Sequence, residues 1–290
     1  MSNFSTRGLS TALFLTSLAC NVYAVDGVIL IDQTRALTGG VTPGDTPGFP
    51  ITLSQPGSYR LTGNLTVPNA TTAAITIGAD NITIDLNGFS IIGPTVCTTS
   101  NSGNGPIVNG CSPAGTAAGI DAGFYPNNPF GGTTVTNGSI RGMGFGIVLR
   151  SGTVKDVKAS SNAVTGIVIG EGTAIGNDSS RNGFNGISMT GSGVVTGNFA
   201  SGNAKGGITT GNFSVIKDNT VVASGGIGIQ GSGTMSGNAV SFSGSLVAGG
   251  TGLKAECPST VAFNTLAFNN NLLSNLILNG SGCIDTNNIY

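Results

Sequence analysis

The chain has 290 residues, 39% of them hydrophobic and only 8% charged, with 49 glycines and no histidine or tryptophan. Low charge with ample apolar content excludes a disordered chain. The 11 basic and 12 acidic residues leave no electrostatic footprint for nucleic acid or an anionic membrane surface.

Residues 1–24 read as a signal peptide. Arg7 supplies the positive n-region, Leu9 to Ala19 a short apolar stretch, and Val22-Tyr23-Ala24 the small-x-small exit, which predicts cleavage after Ala24. The apolar stretch is too short to span a bilayer, and no later segment is a transmembrane candidate. A lipoprotein site at Cys20 is the lesser reading, because Ser17 stands where leucine is usual. The expected location is periplasmic, cell-surface or secreted. The mature chain divides into a lead-in and capping β segment over 25–72 and a repeat region over 73–290, with loop insertions near 94–132 and 244–258.

Four cysteines remain after cleavage, and an even count in an exported chain predicts disulfides. Proximity pairs Cys97 with Cys111 and Cys257 with Cys283. Zinc is the weaker alternative, since the chain has no histidine and no Cys-x-x-Cys.

Turn formers are abundant, including 29 asparagines, and helix formers are scarce, so many short strands are expected. The pattern aliphatic-x-x-Asn recurs at Asn87, Asn177, Asn198, Asn219, Asn238, Asn264 and Asn287, with spacings from Asn177 of 21, 21, 19, 26 and 23 residues. Ile167, Ile187, Ile208 and Ile229 keep the same register, as do Ala159, Ala200, Val221, Val240 and Leu266. A second polar column holds Asn162, Asn182, Asn203, Ser224 and Asn269. Such short segments have no partner alone, whereas one repeat per turn lets each strand pair with its counterparts above and below. This predicts an all-β, single-stranded right-handed parallel β-helix of about nine turns of roughly 21 residues, on the order of 40 Å long at about 4.8 Å per turn. The anchor asparagines are expected to take the positive φ of each bend and to stack their amides in a ladder. Val157 resists that conformation, so Asp156 is expected to make the bend in its coil.

The Asn-ladder coil resembles the right-handed parallel β-helix of the pectin-lyase-like superfamily. Gly57 to Leu65 and Asn81 to Gly88 resemble the opening coils of bacterial exported β-helix repeat proteins. The resemblance covers Gly57 to Tyr290 and implies a fold without implying an activity. The family's hydrolases use clustered aspartates with Gly-His-Gly, and its epimerases use a histidine motif; this chain has no histidine.

Function is expected where the repeat is interrupted. In the larger insertion Phe124, Tyr125 and Phe130 form a hydrophobic plug or, alternatively, a sugar-stacking platform. Arg141 and Arg150 flank the neighbouring strand and could meet an anionic saccharide. A calcium-dependent lyase needs acidic residues converging beside a basic one. The best collection is Asp156, Lys158, Glu171, Asp178 and Arg181, with Asp156, Asp178 and Arg181 as the catalytic candidates. Lys158 and Asp178 share a register, so an exposed ion pair is the first reading. The resulting expectation is a non-catalytic exported protein with a binding, surface or structural role, associated with extracellular polysaccharide. It needs no cofactor, and calcium enters only under the alternative of a polysaccharide lyase. Terminal turns offer an edge for self-association.

Overall fold

A computed structural model describes residues 27–101, 105–123, 129–244, 250–267 and 275–290. The expected signal peptide with Cys20 and the Ala24 exit, together with Phe124, Tyr125 and Asn269, lies outside the described residues. Among the described residues no helix is long and apolar enough to cross a membrane.

The fold is a parallel β-solenoid. The coil from Ile187 shows the plan: Ile187–Met189 on a first face, Gly193–Thr196 on a second and Phe199–Ser201 on a third. Each strand pairs in parallel with its counterparts one coil away. Among the described residues ten rungs stack on the first face, from Ile51–Leu53 to Leu276–Asn279, one more than the spacing predicts. Its inward column runs Ile75, Ile120, Ile147, Ile167, Ile187, Ile208 and Ile229, every one fully buried. Each contributes roughly 1.5–3 kcal/mol of burial.

The ladder lies at the corner between the second and third faces. The side-chain oxygen of each asparagine accepts from the main-chain amide of the asparagine one coil earlier: Asn198 from Asn177 at 2.9 Å, Asn219 from Asn198 at 3.0 Å, Asn238 from Asn219 at 3.1 Å and Asn264 from Asn238 at 3.0 Å. The next rung is Asn288, accepting from Asn264 at 2.8 Å, and not Asn287. Asn87 also stands outside this column: it is exposed, with φ 52°.

The buried ladder asparagines do not make the bends, whereas Asn87 and Asn287 do take the expected positive φ, at 52° and 53°. Positive φ falls on the preceding residue, at Asn137, Asp156, Gly176, Gly197, Asp218, Gly237, Phe263 and Asn287. That residue turns the chain, and the asparagine after it points inward to reach the next coil. Asp156 therefore makes the bend before Val157, with φ 54°. A second corner repeats the device at Gly142, Ser161, Arg181, Gly202, Ala223 and Phe242. There Asn162, Asn182 and Asn203 form a shorter ladder, with links of 3.1 and 2.9 Å.

Coiling begins before residue 73. Val28–Ile31 pairs with Gly57–Leu61, so the lead-in is already part of the solenoid. It also holds a short helix, Gln33–Thr38, whose start is capped by Asp32 accepting from the Arg35 amide at 2.8 Å. Side chains close the open strand edges at this end. Gln33 accepts from the Thr66 amide at 2.8 Å and donates to the Thr66 carbonyl at 3.2 Å. Buried Asp45 accepts from the Thr52 amide at 2.8 Å, and Thr42 accepts from the Ser54 amide at 3.0 Å. At the other end Asp285 occupies the core column beyond Val261 and accepts from the Tyr290 hydroxyl at 2.8 Å. An inward-placed charge of this kind protects an edge against further pairing.

The 94–132 insertion is interrupted: Ala118–Asp121 is a regular first-face rung, paired with Ile75 and Ile147.

Candidate binding cleft beside the disulfide hairpin

The segment before that rung forms an antiparallel hairpin, Val96–Asn101 with Pro106–Ser112, in which Cys97 stands opposite Cys111. The two are disulfide-bonded with Cα atoms 4.0 Å apart. The hairpin runs along the second corner, from Gly142 to Ala223. Thr95 donates its amide to the Gly142 carbonyl at 2.8 Å, and Val108 donates its amide to the Gly202 carbonyl at 3.0 Å. Close approach of the hairpin requires glycine at one corner position: a Cβ on Gly202 would lie 2.5 Å from the Pro106 carbonyl oxygen. Gly183 is held to glycine mainly by the preceding coil, where a Cβ would lie 2.0 Å from the Ala163 carbonyl oxygen, and the Cys111 sulfur lies 3.2 Å from the same point.

Between the hairpin's return strand and the solenoid lies a cleft of about 480 Å³. Ala163, Gly183 and Ala204, one from each of three successive coils, line its solenoid side, with Val164 and Lys205 beside them. Asn109 and Gly110 belong to the opposite wall. Lys205 is exposed. It differs from every other lysine of the chain in its surroundings. Lys155 lies 3.8 Å from Asp156, Lys158 3.6 Å from Asp178, Lys217 3.3 Å from Asp218 and Lys254 2.7 Å from Glu256. Lys205 forms no ion pair among the described residues. Sequence reasoning missed it, although a signal was there: the other lysines have an acid one or two residues on or in register, whereas Lys205 sits in Asn-Ala-Lys-Gly-Gly.

The three catalytic candidates do not converge. Asp156 and Arg181 make bends at opposite edges of the third face, roughly 16 Å apart along the strand direction at about 3.3 Å per residue. Asp178 lies between them, facing Lys158 in register and accepting from the Ser180 hydroxyl. Arg181 runs beside the hairpin, its Cγ 3.4 Å from where a Gly202 Cβ would sit. Among the described residues no three His, Cys, Asp or Glu side chains gather as a metal-ligand set.

The other candidates are spread out. Phe130 is half-buried against the core, and Arg150 donates to the Pro129 carbonyl at 3.0 Å, fastening the end of the aromatic loop. Arg141 is exposed at the end of Thr133–Arg141. Cys257 and Cys283 are disulfide-bonded with Cα atoms 5.1 Å apart, tying the last coil to the one before.

The perturbed acid–base groups lie away from the cleft. Hydrogen bonds from Lys254 and Asn279 hold Glu256 below the ordinary glutamate range. Burial raises Tyr59. Tyr290 is pushed up to about 12 by desolvation and then by its hydrogen bond to Asp285.

No protein family, curated protein or solved structure matches the chain.

Proposed function

We propose that this chain is an exported β-solenoid with a non-catalytic binding or surface role, directed at polysaccharide outside the cytoplasm. The observation that carries the reading is the hairpin cleft, the place where the chain departs from the repeat to build a concave surface. Binding sites are characteristically concave and set on a rigid scaffold. Two disulfides suit an oxidising compartment. Asp178 faces a lysine, and Asp156 and Arg181 serve the bends, so the acid and base of a lyase have no common centre on this face.

The test is incubation with a panel of uronate polymers, with and without calcium, following absorbance from unsaturated products, beside a binding assay on the same polymers. Retention of a polymer without product formation is expected. Turnover abolished by Arg181→Ala would overturn the non-catalytic reading in favour of a lyase.

A further inference from the structure

We infer that the cleft beside the hairpin takes an acidic oligosaccharide, and that Lys205 recognises its carboxylate or sulfate. This rests on the carbohydrate-binding reading and gives it a location and a charge requirement.

Charge complementarity favours an anionic ligand. In a chain with 8% charged residues, every lysine but one lies within 4.0 Å of a carboxylate. The exception stands on the lining of the cleft. Nothing in the fold's packing calls for a cation there: along the main-chain stack its neighbours are Val164, Phe184 and Gly226. An ammonium group offers three donors and no acceptor, so its natural complement is an anionic oxygen.

The rest of the lining fits a sugar. The side formed by Ala163, Gly183 and Ala204 carries nothing larger than a methyl group, leaving room beside the main chain for a ring. Half-buried Val164 offers an apolar contact to a ring face, and exposed Asn109, whose side-chain oxygen accepts from the Thr98 hydroxyl at 2.8 Å, offers its amide group as a donor to a hydroxyl. At about 480 Å³ the cleft falls within the roughly 300–1,000 Å³ typical of small-ligand sites. Three coils at about 4.8 Å each let a short oligomer lie along the solenoid axis. One exposed cation is screened by salt, so the interaction is weak and sensitive to ionic strength.

The test is titration of the disulfide-intact protein with trigalacturonate, maltotriose, inorganic sulfate and an acidic hexapeptide, following the amide resonances of Ala204 and Lys205. Trigalacturonate is expected to shift both and to bind less tightly as salt rises. Lys205→Met should weaken it by about tenfold or more, the loss of one charge-assisted hydrogen bond. Lys205→Arg should stay within about threefold of the parent, because the charge remains. Ala204→Leu, which fills the cleft and keeps Lys205, should abolish binding. Unchanged affinity in Lys205→Met overturns this inference and leaves carbohydrate binding standing. Sulfate or the peptide binding as tightly, with the same dependence on Lys205, overturns the assignment to a saccharide. Failure of both sugars to shift any amide overturns the carbohydrate reading itself and this inference with it.

Discussion

The side-chain oxygen of Asn198 accepts two hydrogen bonds from Asn177, one from its main-chain amide and one from its side-chain amide, each at 2.9 Å. The Asn198 amide group in turn donates to the Ala174 carbonyl at 2.9 Å and to the Asn219 side-chain oxygen at 3.0 Å. Both residues are almost fully buried, so water cannot replace a lost partner. Asn198→Ala therefore strands two N–H groups of Asn177 and takes a donor from the Ala174 carbonyl, while the Asn219 oxygen keeps the main-chain amide of residue 198; the change should cost about 3 kcal/mol or more, at roughly 1–3 kcal/mol per unsatisfied buried group. Exposed Asn287, which makes a bend with φ 53°, should lose under about 1 kcal/mol as Asn287→Gly, since glycine takes that conformation freely. Urea unfolding of the two variants checks the contrast. Equal losses would remove the ladder as a source of stability.

That contrast also marks how far the sequence could be read. The aliphatic-x-x-Asn spacing located the interior rungs because five of them keep one register. At Asn287-Asn288 either residue satisfies a spacing argument, and the inward turn decides between them. At Asn87 the coil carries extra residues, Leu86 to Phe89, where later coils have a direct bend, so the asparagine is carried outward. The hairpin's resting place was not legible at all. Its anchors, Val108 to Gly202 and Cys111 beside Gly183, are far apart in sequence and leave no periodic signal. The cleft follows from that docking, whereas the isolation of Lys205 is legible in its Asn-Ala-Lys-Gly-Gly setting.

Gly202 and Gly197 share φ 65°, yet substitution should affect them differently. Alanine at Gly197 meets nothing nearer than the Gly176 nitrogen at 4.0 Å and carries only the backbone penalty of about 1–2 kcal/mol. Alanine at Gly202 adds a clash with the Pro106 carbonyl and should lift the hairpin from the corner. The Val108 amide, which donates to Gly202, reports on this directly. Its hydrogen exchange should accelerate strongly in Gly202→Ala and stay unchanged in Gly197→Ala. Unchanged exchange in both would mean that the hairpin tolerates the methyl group by moving as a unit.

The Cys257–Cys283 disulfide closes a segment spanning one coil, and its stabilising effect should be local. Replacing both cysteines by alanine removes about 3.5 kcal/mol in the chain-entropy account of a 27-residue loop. Coils of a solenoid contact only their neighbours, so this loss should fall on Leu276–Asn279 and Ile284–Thr286. Amide exchange should become fast in these strands while Ile167–Ile175 stays protected. A uniform rise across the chain would mean that the solenoid unfolds as one cooperative unit.

The last coil should also be the part most sensitive to pH, and from both directions. Glu256 accepts from Asn279 at 2.5 Å, which joins the final first-face rung to the one before. Lys254 and Asn279 hold Glu256 below the ordinary glutamate range. Its contribution is therefore present above the unfolded value and lost as pH falls through the lowered one, so the coil should loosen in acid, below about pH 4.3. Tyr290 moves the opposite way. Its hydroxyl, pushed up to about 12, donates to Asp285. That contribution is complete below the ordinary tyrosine value of about 10 and lost as pH rises toward the raised one. Exchange and near-ultraviolet spectra of the terminal coil should thus show a plateau of protection between these limits. Glu256→Gln should remove the acid limb and Tyr290→Phe the alkaline limb. Each substitution should leave the other limb in place, because the two hydrogen bonds share no residue.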